Sequence, residues 1–501
     1  MPRTRSNLSP APMGSSTAKG SSAPKGRNIP AQGNALGFRH PMNPSPEGAA
    51  QSWRTVKLSD VCVSASKVNP KDDPEKEITY LDIGGIDNET LKITETKTFI
   101  GAEAPSRARQ LVKDGDVLFS TVRTYLKKIA QVPEHFDGAI ASTGFTVLRG
   151  SDVLDPKYLF YYVTQDAFIK PLSKIQRGTS YPAVRDSDVL AQLIQLAPLP
   201  EQRRIVARIE ELFSRLDAGV AALRHAKAQL QRYRQSVLAA AVTGQLTQAW
   251  REQHPETEHA EELLERILEQ RREQWSGRGK YTEAISAEPL NLDLPATWTI
   301  TNIDSVISGI EAGKNFKCEE RPPTEGETGL VKISAVTWGR FDELESKTVT
   351  RGDQIREEHV IHSGDFLLSR ANTLELVGAP VIVDQITRHL MLSDKVLRLR
   401  FIERLERFAL FWLRSKLGRK EIESRATGNQ LSMRNIAQAS LRAIPLPLPP
   451  LAEQHQIVAE VEARTTAIDH LEAELDRQIT RASRLRQAIL ANAFSGEGAF
   501  V

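Results

Sequence analysis

The 501-residue sequence predicts an α+β protein with two tandem α/β domains and two long coiled-coil helices. Motifs recur about 250 residues apart, and each copy ends in a long heptad pattern. The residues before each heptad pattern contain short strand-like runs bounded by glycine, aspartate and proline. A chain with two similar halves resembles a dimer fused in tandem. It can therefore present two related but different surfaces to one elongated partner.

The repeat is clearest around the two heptad patterns. The matching segments of the first and second copy are Glu201-Gln202 and Glu453-Gln454, 238–244 and 490–496, and 115–120 and 364–369. The offset is 252 for the first two pairs and 249 for the third, and it falls to 245 between Trp53 and Trp298. A drifting offset places insertions and deletions in the loops of the globular parts, where binding residues usually lie.

Two long helices are predicted from apolar seams that run from Ile205 to Val237 and from Ile457 to Ile489. Prolines precede both seams, and Gly244 and Gly496 follow them as helix ends. At about 1.5 Å per residue, each helix spans on the order of 60 to 70 Å, so the pair can hold two domains apart. Considered alone, such helices also fit a dimerisation or scaffolding coil. The seam positions are not all apolar, which favours pairing between the two unlike helices; the exceptions are Gly219, Arg464 and Gln478.

The globular parts read as short strands with some helix. Expected strands lie at 117–119, 144–148, 331–333, 381–383 and 396–399, and expected helices at 158–169, 261–275 and 408–417. The resulting domain boundaries are a disordered basic leader at 1–50, a first domain at 51–197, a first coiled-coil helix at 198–246, a central helical linker at 247–293, a second domain at 294–447, a second coiled-coil helix at 448–496 and a tail at 497–501.

Charge gives no general argument for a nucleic-acid partner. The leader has six basic residues and one acid, a net of +5, whereas the whole chain has a net charge of +3. The remainder is therefore slightly acidic, at −2. The leader is poor in large apolar residues, so it cannot bury enough surface to fold. It can touch nucleic acid non-specifically, or it is simply a solvated extension.

The sequence predicts no catalytic residue, no metal site and no cofactor in this chain. Its two cysteines, Cys62 and Cys318, have no neighbours at metal-ligand spacing, and they fit a reducing cytoplasm. Segment 309–315 looks like a phosphate loop, but it has one residue too few between its glycines and Asn315 where magnesium binding needs Ser or Thr. Membrane spans are also excluded, because no run of 18 apolar residues occurs.

Polar and basic turns occur at matching places in the two halves. Arginine, asparagine and glutamine can read base edges, while lysine, serine and threonine bind phosphates. Clusters of this kind are also typical of solvated loops, but their recurrence at the same point relative to each long helix favours binding. The candidate DNA-binding residues are Arg123, Thr124, Tyr125, Lys127, Lys128, Thr179, Ser180, Tyr181 and Arg185 in the first half, and Arg370, Asn372, Asn429, Gln430 and Arg434 in the second.

Several motifs, taken in order, resemble the specificity subunit of type I restriction–modification enzymes. They are the paired proline-rich segments before Glu-Gln-x-x-Ile-Val, the segments 115–123, 142–145, 178–184 and 392–395, and the Leu-Ala-x-Ala-x-(Thr/Ser)-Gly tails. The resemblance covers nearly all of residues 51–496.

The resemblance implies two target-recognition domains separated by two antiparallel helices in a pseudo-two-fold arrangement, each domain reading one half of a split double-stranded DNA site. It also implies partners: two methyltransferase subunits that use S-adenosylmethionine, and restriction/translocase subunits that use ATP and magnesium. The alternative is a coiled-coil scaffold or adaptor without sequence-specific DNA recognition. That alternative explains the helices but not the duplicated polar turns.

Overall fold

The computed structural model describes residues 53–275, 280–337, 339–430 and 433–496, without the side chains of Asn429 and Gln430. The predictions for the leader at 1–50 and the tail at 497–501 lie outside these residues. Within the described chain, no helix is long and apolar enough to cross a membrane. No cluster of three or more His, Cys, Asp or Glu side chains suited to a metal ion was found in that part of the chain either.

The first domain is built on two antiparallel-rich sheets with strand orders β10-β9-β12-β2 and β3-β8-β11-β4-β7, and β1 pairs with β13 next to the long helix. Its elements are β1 (Arg54–Lys57), α1 (Leu58–Val61), β2 (Cys62–Val63), β3 (Ser66–Lys67), β4 (Glu77–Leu81), β5 (Ile86–Asp87), β6 (Lys92–Ile93), β7 (Lys97–Ile100), β8 (Ala108–Leu111), β9 (Val117–Ser120), β10 (Ile129–Gln131), β11 (Ile140–Ser142), β12 (Phe145–Gly150), α2 (Pro156–Val163), α3 (Asp166–Lys174), α4 (Asp186–Leu190) and β13 (Leu193–Leu196).

The long helix α5 (Leu199–Val242) follows, and then α6 (Gln248–Gln253) and α7 (Ala260–Glu273) lead to the second domain. That domain has sheets of order β15-β23-β19-β21, β16-β18-β17-β22 and β20-β25-β24, and β14 pairs with β26. Its elements are β14 (Thr299–Asn302), α8 (Ile303–Val306), β15 (Ile307–Ala312), β16 (Cys318–Glu319), β17 (Thr328–Val331), β18 (Ser346–Val349), β19 (Phe366–Ser369), β20 (Ala371–Asn372), β21 (Pro380–Ile382), β22 (His389–Met391), β23 (Val396–Phe401), α9 (Glu406–Arg414), α10 (Lys416–Arg425), β24 (Thr427–Gln430), β25 (Met433–Asn435), α11 (Gln438–Arg442) and β26 (Pro445–Leu448), followed by the long helix α12 (Leu451–Ala493).

The two long helices lie antiparallel. The ion pairs between them show this, because partners later in α5 contact residues earlier in α12: Asp217 pairs with Arg486, Lys227 with Asp476 (2.6 Å), and Arg234 with Asp469 (2.6 Å). With the two α/β domains, this arrangement confirms the predicted fold class. Each helix ends two or three residues before a glycine in the left-handed region, Gly244 (φ 75°) and Gly496 (φ 74°).

The repeated glutamine of each Glu-Gln motif anchors the start of its helix. Gln202 is fully buried and donates to the carbonyl oxygens of Ala197 (2.8 Å) and Val153 (2.9 Å). Gln454 is also buried and donates to the carbonyl oxygen of Pro449 (2.7 Å), five residues earlier as in the first copy. These bonds satisfy backbone oxygens at the buried junction between domain and helix.

Each domain core uses both long helices, which makes the molecule pseudo-two-fold symmetric. The first core packs on Ile205, Ile209 and Phe213 from the start of α5 and on Leu490 and Phe494 from the end of α12. The second core uses the opposite ends, which contribute Val237, Leu238, Ala241, Val242, Ile457 and Val461. The spacing between the domains is therefore fixed by hydrophobic cores at both ends of the pair.

The middle of the helix pair differs from the predicted seam. The heptad spacing of the two seams includes Tyr233, Leu471 and Leu485, but each is about half exposed, at 47, 53 and 49 %. Arg234, next to Tyr233, instead bonds to Asp469 and Glu472 of the other helix. A single antiparallel partner covers only a narrow stripe of each helix, so the apolar positions beside that stripe remain in contact with solvent.

Some local predictions were also wrong in detail. The expected helix at 158–169 is two helices, α2 and α3. Helix α2 ends because the side chains of Thr164 and Gln165 donate hydrogen bonds to backbone oxygens of its last turn. The expected helix at 408–417 is likewise divided at Ser415, whose hydroxyl caps α10. Segment 331–333 leaves its strand at Val331 and enters a 3₁₀ turn. The segment that resembled a phosphate loop lies largely in strand β15.

Candidate nucleic-acid interface

In the first domain, the two predicted polar turns meet and form one surface, which we call the first tip (residues 120–128 and 177–185). Val122 and Arg177 both pair with Ala183 through antiparallel bridges. The backbone N–H of Arg123 also donates to the carbonyl oxygen of Pro182 (2.7 Å). Residues 59 and 61 positions apart in the sequence are thereby joined directly after strand β9.

Arg123 and Tyr181 form an ordered pair at this tip. Arg123 has a left-handed backbone (φ 48°), which is uncommon for a residue other than glycine. Its Nη2 donates to the carbonyl oxygen of Ser180 (2.9 Å), and its guanidinium lies 5.1 Å from the centre of the Tyr181 ring. Tyr181 is 73 % exposed. The pair therefore holds a cation and an aromatic face outward in a fixed geometry.

Three other candidates of the first tip face the protein. Thr124 is buried, and its hydroxyl bonds to Ser173 (2.9 Å) and accepts from Gln176 (2.6 Å). Lys127 forms an ion pair with Asp166 (2.6 Å), and Lys128 donates to a backbone oxygen of strand β5. The prediction of DNA contact did not anticipate these partners. Ser173 and Asp166 belong to helix α3, which packs against the turn, whereas the partner of Lys128 belongs to β5.

The pair between Lys127 and Asp166 also has an electrostatic consequence. The hydrogen bond from Lys127 holds the pKa of Asp166 below its ordinary value, and Lys170 contributes to the same effect. The Asp166 carboxyl is therefore charged at neutral pH, and its ion pair fixes the turn instead of leaving Lys127 free. The remaining candidates of the first tip are exposed: Tyr125, Thr179, Ser180, Tyr181 and Arg185.

The second tip (residues 369–373, 427–430 and 433–435) forms the three-stranded sheet β20-β25-β24. Asn372 lies directly opposite Arg434 across two of its strands. The backbone of Arg370 is held on both sides, since its N–H donates to Lys395 (2.8 Å) and its carbonyl oxygen accepts from Ile436 (3.0 Å). Asn429 and Gln430 lie in strand β24, and their side chains are outside the described residues.

Two arginines of the second tip retain unused donors. The Nε atoms of Arg370 and Arg434 are both buried and have no hydrogen-bond partner in the described chain. Buried polar atoms are normally satisfied, so such donors are candidates for bonds to a bound ligand. The DNA contacts of all fourteen candidate residues stay predictions, but the structure gathers each half of the set into one place.

The two tips have the same framework. In the first, Val122 and Arg177 pair with Ala183, whereas in the second, Ala371 and Thr427 pair with Asn435. Gly178 (φ 100°) and Gly428 (φ 137°) follow the equivalent ladder positions. The domains therefore present different side chains on one backbone plan, which is what two related but distinct binding surfaces require.

A buried aspartate supports the strand that leads to each tip. Asp116 accepts from the N–H of Lys113 (2.8 Å) and from Arg149 (2.6 and 2.8 Å). Asp365, 249 residues later in the repeat, accepts from the N–H of His362 (2.9 Å) and from two arginines of β23. Those arginines are Arg398 (2.9 Å) and Arg400 (3.1 Å).

Sequence reasoning missed two parts of this arrangement. The arginine contacts of the buried aspartates join residues that are more than 30 positions apart, and no local pattern marks them. Met433, at the second tip, was also not singled out, although it is 63 % exposed. The repeat offset of 252 from Tyr181 could have identified Met433.

Taken together, two polar tips carried by α/β domains on an antiparallel helical spacer define a bivalent recognition protein. The model of the type I restriction modification DNA specificity domain matches residues 50–223 and again residues 299–481. The chain belongs to this family, with two copies of its domain. Each match contains one of the two tips.

Among curated relatives, the chain is 29 % identical to the type I restriction enzyme EcoEI specificity subunit of Escherichia coli, over 58 % of this chain and 49 % of that protein. It is 23 % identical to the EcoKI specificity subunit of Escherichia coli strain K12, over 70 % of this chain and 67 % of that protein. The chain thus spans about half the length of the EcoEI subunit and two thirds of the EcoKI subunit.

A chain from a solved structure of the type I R-M system, studied for complex assembly and conformational transition, has the same overall arrangement. The two chains are 29 % identical and superpose with a TM-score of 0.62, covering 90 % of this chain and 99 % of the other. This agreement extends over both domains and both long helices. The relatives offer no support for a coiled-coil scaffold without a recognition role.

Proposed function

We propose that the chain is the DNA sequence-specificity subunit of a type I restriction–modification complex. It recognises an asymmetric bipartite site, with one half-site for each tip and a gap set by the antiparallel helices. The observation that carries this proposal is the pair of unlike tips, built on one framework and fixed at opposite ends of one helical spacer. Family membership and the TM-score of 0.62 support it.

In this proposal the chain recognises the DNA sequence, and its partner subunits catalyse the reactions. We assign methylation to two methyltransferase subunits that bind S-adenosylmethionine, and cleavage to restriction/translocase subunits that use ATP and magnesium. The chain itself is assigned no catalytic or metal-binding residue.

The first experiment maps methylated adenines in the host genome by single-molecule sequencing, with and without the gene for this chain. We expect one bipartite motif to lose its methylation when the gene is removed, and to regain it on complementation. A scaffold or adaptor would leave no motif dependent on the chain. A motif that is continuous, with no gap, would contradict the two-tip arrangement.

The second experiment lengthens the spacer by one heptad in both helices, in α5 after Leu230 and in α12 after Glu472. These points lie between the ion pairs Lys227–Asp476 and Arg234–Asp469, so both pairs can form again. Seven residues add about 10 Å, which is about three base pairs of DNA. We expect a longer gap with both half-site sequences unchanged. Three base pairs also rotate the groove by roughly 100°, so affinity should fall. Altered half-sites with an unchanged gap would refute the spacer role.

The third experiment tests the arginines of the tips. Arg123→Ala should weaken discrimination in one half-site, and Arg370→Ala in the other. A lost bidentate base contact reduces discrimination by about 1–3 kcal/mol, while a lost phosphate contact lowers the salt slope of binding by about one. Arg272→Ala, in the linker helix, is the matched control. If both half-site preferences and the salt dependence survive, these arginines do not bind DNA.

A further inference from the structure

The two most exposed large apolar side chains of the described chain occupy the same position in the two tips. Tyr181 is 73 % exposed and Met433 is 63 % exposed. In each tip, three backbone segments meet at one strand position, which is Ala183 in the first tip and Asn435 in the second. Tyr181 and Met433 each lie two residues before that position. Single exposed apolar residues are common on any protein. Their recurrence at equivalent places in two otherwise unlike tips has no evident folding role.

An arginine accompanies each of these side chains, in space at Tyr181 and in sequence at Met433. At the first tip, the guanidinium of Arg123 lies over the Tyr181 ring and is fixed by a bond to Ser180. At the second tip, Met433 precedes Arg434, which faces Asn372 across the ladder. A protein-docking patch needs contiguous apolar surface. A single apolar side chain next to an arginine is better suited to DNA, in which a negatively charged backbone surrounds stacked bases.

We propose that Tyr181 and Met433 are wedge residues, each inserting between adjacent base pairs of the half-site bound by its own tip. This inference rests on the proposed DNA-specificity function and names how each tip engages its half-site. Apolar wedges of this kind unstack a base step and bend the duplex, while neighbouring arginines bind the groove and backbone. Flexible pyrimidine–purine steps unstack most easily, so a wedge adds sequence preference at a step that no hydrogen bond reads.

The two wedges differ in stiffness. The Tyr181 ring is planar and held by Arg123, so it can stack on an exposed base face. Met433 has an unbranched, polarisable side chain that fills irregular gaps. We therefore expect the first half-site to show the stronger preference for one base step at the wedge position. Such a difference suits an asymmetric site.

The test uses the full chain, in the complex that it forms in its host, and duplexes of the mapped site with 2-aminopurine placed at successive positions. This base fluoresces more strongly when its stacking is lost. Wild type should give a local fluorescence increase in each half-site. Tyr181→Ala should remove the increase in one half and Met433→Ala in the other, and each should weaken binding by about tenfold.

Conservative and matched variants distinguish the loss of a wedge from a defect in folding. Tyr181→Phe and Met433→Leu should keep the fluorescence increase, because the apolar shape is retained. Leu193→Ala and Leu344→Ala remove side chains that are each 55 % exposed elsewhere in the two domains, and they should change nothing.

The proposal is overturned if wild type binds the mapped site with no increase in either half, a result that leaves the proposed function standing. It is also overturned if the alanine variants keep the increase. Loss of subunit assembly with an unchanged increase would make the two residues protein contacts instead. If wild type shows no site-selective binding at all, the proposed function fails and the wedge fails with it.

Discussion

The most informative stability test is Arg398→Met in the second domain. Arg398 is 1 % exposed and lies in β23, the strand paired with the one that leads to the second tip. It bonds to Asp365 (2.9 Å) and to the carbonyl oxygens of Val360 and Glu358 (both 2.6 Å). Glu311 is a further partner, although its side chain is 37 % exposed and contributes less because water screens it.

The expected destabilisation follows from these contacts. Methionine fills much of the same volume but leaves the buried Asp365 carboxylate with Arg400 as its one remaining arginine partner among those described. Removing one member of a buried ion pair costs about 3–5 kcal/mol. Because Arg400 still contacts Asp365, we expect the lower end, about 3 kcal/mol. That value corresponds to a roughly 100-fold rise in the population of the locally open state.

Hydrogen exchange measured by mass spectrometry can locate this effect. Backbone amides of β19 and β23 should exchange roughly 100-fold faster in Arg398→Met, while β9 and β12 of the first domain stay unchanged. Arg149→Met is the matched variant of the first domain: it removes the arginine that bonds to the buried Asp116, so the faster exchange should appear there in β9 and β12 and not in β19 and β23. An increase below tenfold, or an equal increase in both domains, would refute the reasoning.

Three further predictions concern the junction, a thiol and the first tip. Glu453→Gln should destabilise the chain by about 2 kcal/mol in denaturant titrations. One oxygen of this fully buried carboxylate accepts from Trp298 Nε1 (2.8 Å) and the other accepts from Thr247 (2.6 Å) and Arg251, so the amide NH₂ of glutamine would face a donor in either orientation; unchanged stability would contradict it. Burial raises the pKa of Cys62 to about 12, so iodoacetamide at pH 8 should modify it more slowly than a free thiol in peptide mass spectrometry; equal rates would contradict burial. The hydrogen bond from Lys127 lowers the pKa of Asp166 in the folded protein. The ion pair therefore stabilises the fold at pH values above the ordinary carboxyl pKa, about 3.9, and this stabilisation is lost as the pH falls through the pKa of Asp166 in the folded state. Asp166→Asn should therefore lower the melting temperature at pH 7 and lose this effect in acid; a deficit that persists in acid would argue against the ion pair.

The sequence by itself determined the architecture. Heptad spacing predicted both long helices, since periodicity of 3.5 residues over about five heptads is rarely produced by other folds. The glycines after each helix were also informative, because Gly244 and Gly496 both adopt the left-handed backbone that ends a helix. The repeat offset divided the chain into two halves with matching polar turns. Within each domain these turns do meet, and they form one tip.

Only the tertiary structure decided which side chains of those turns are available. Thr124 and Lys127 look like their exposed neighbours in the sequence, but helix α3 supplies them with Ser173 and Asp166 as partners. The arginine contacts of the buried aspartates likewise depend on strand pairing across more than 30 residues. Periodicity describes contacts within one element, whereas burial and hydrogen bonding depend on which other element packs against it. For this reason the repeat predicted where the two tips lie, and the fold determined that Tyr181 and Met433 are exposed on them.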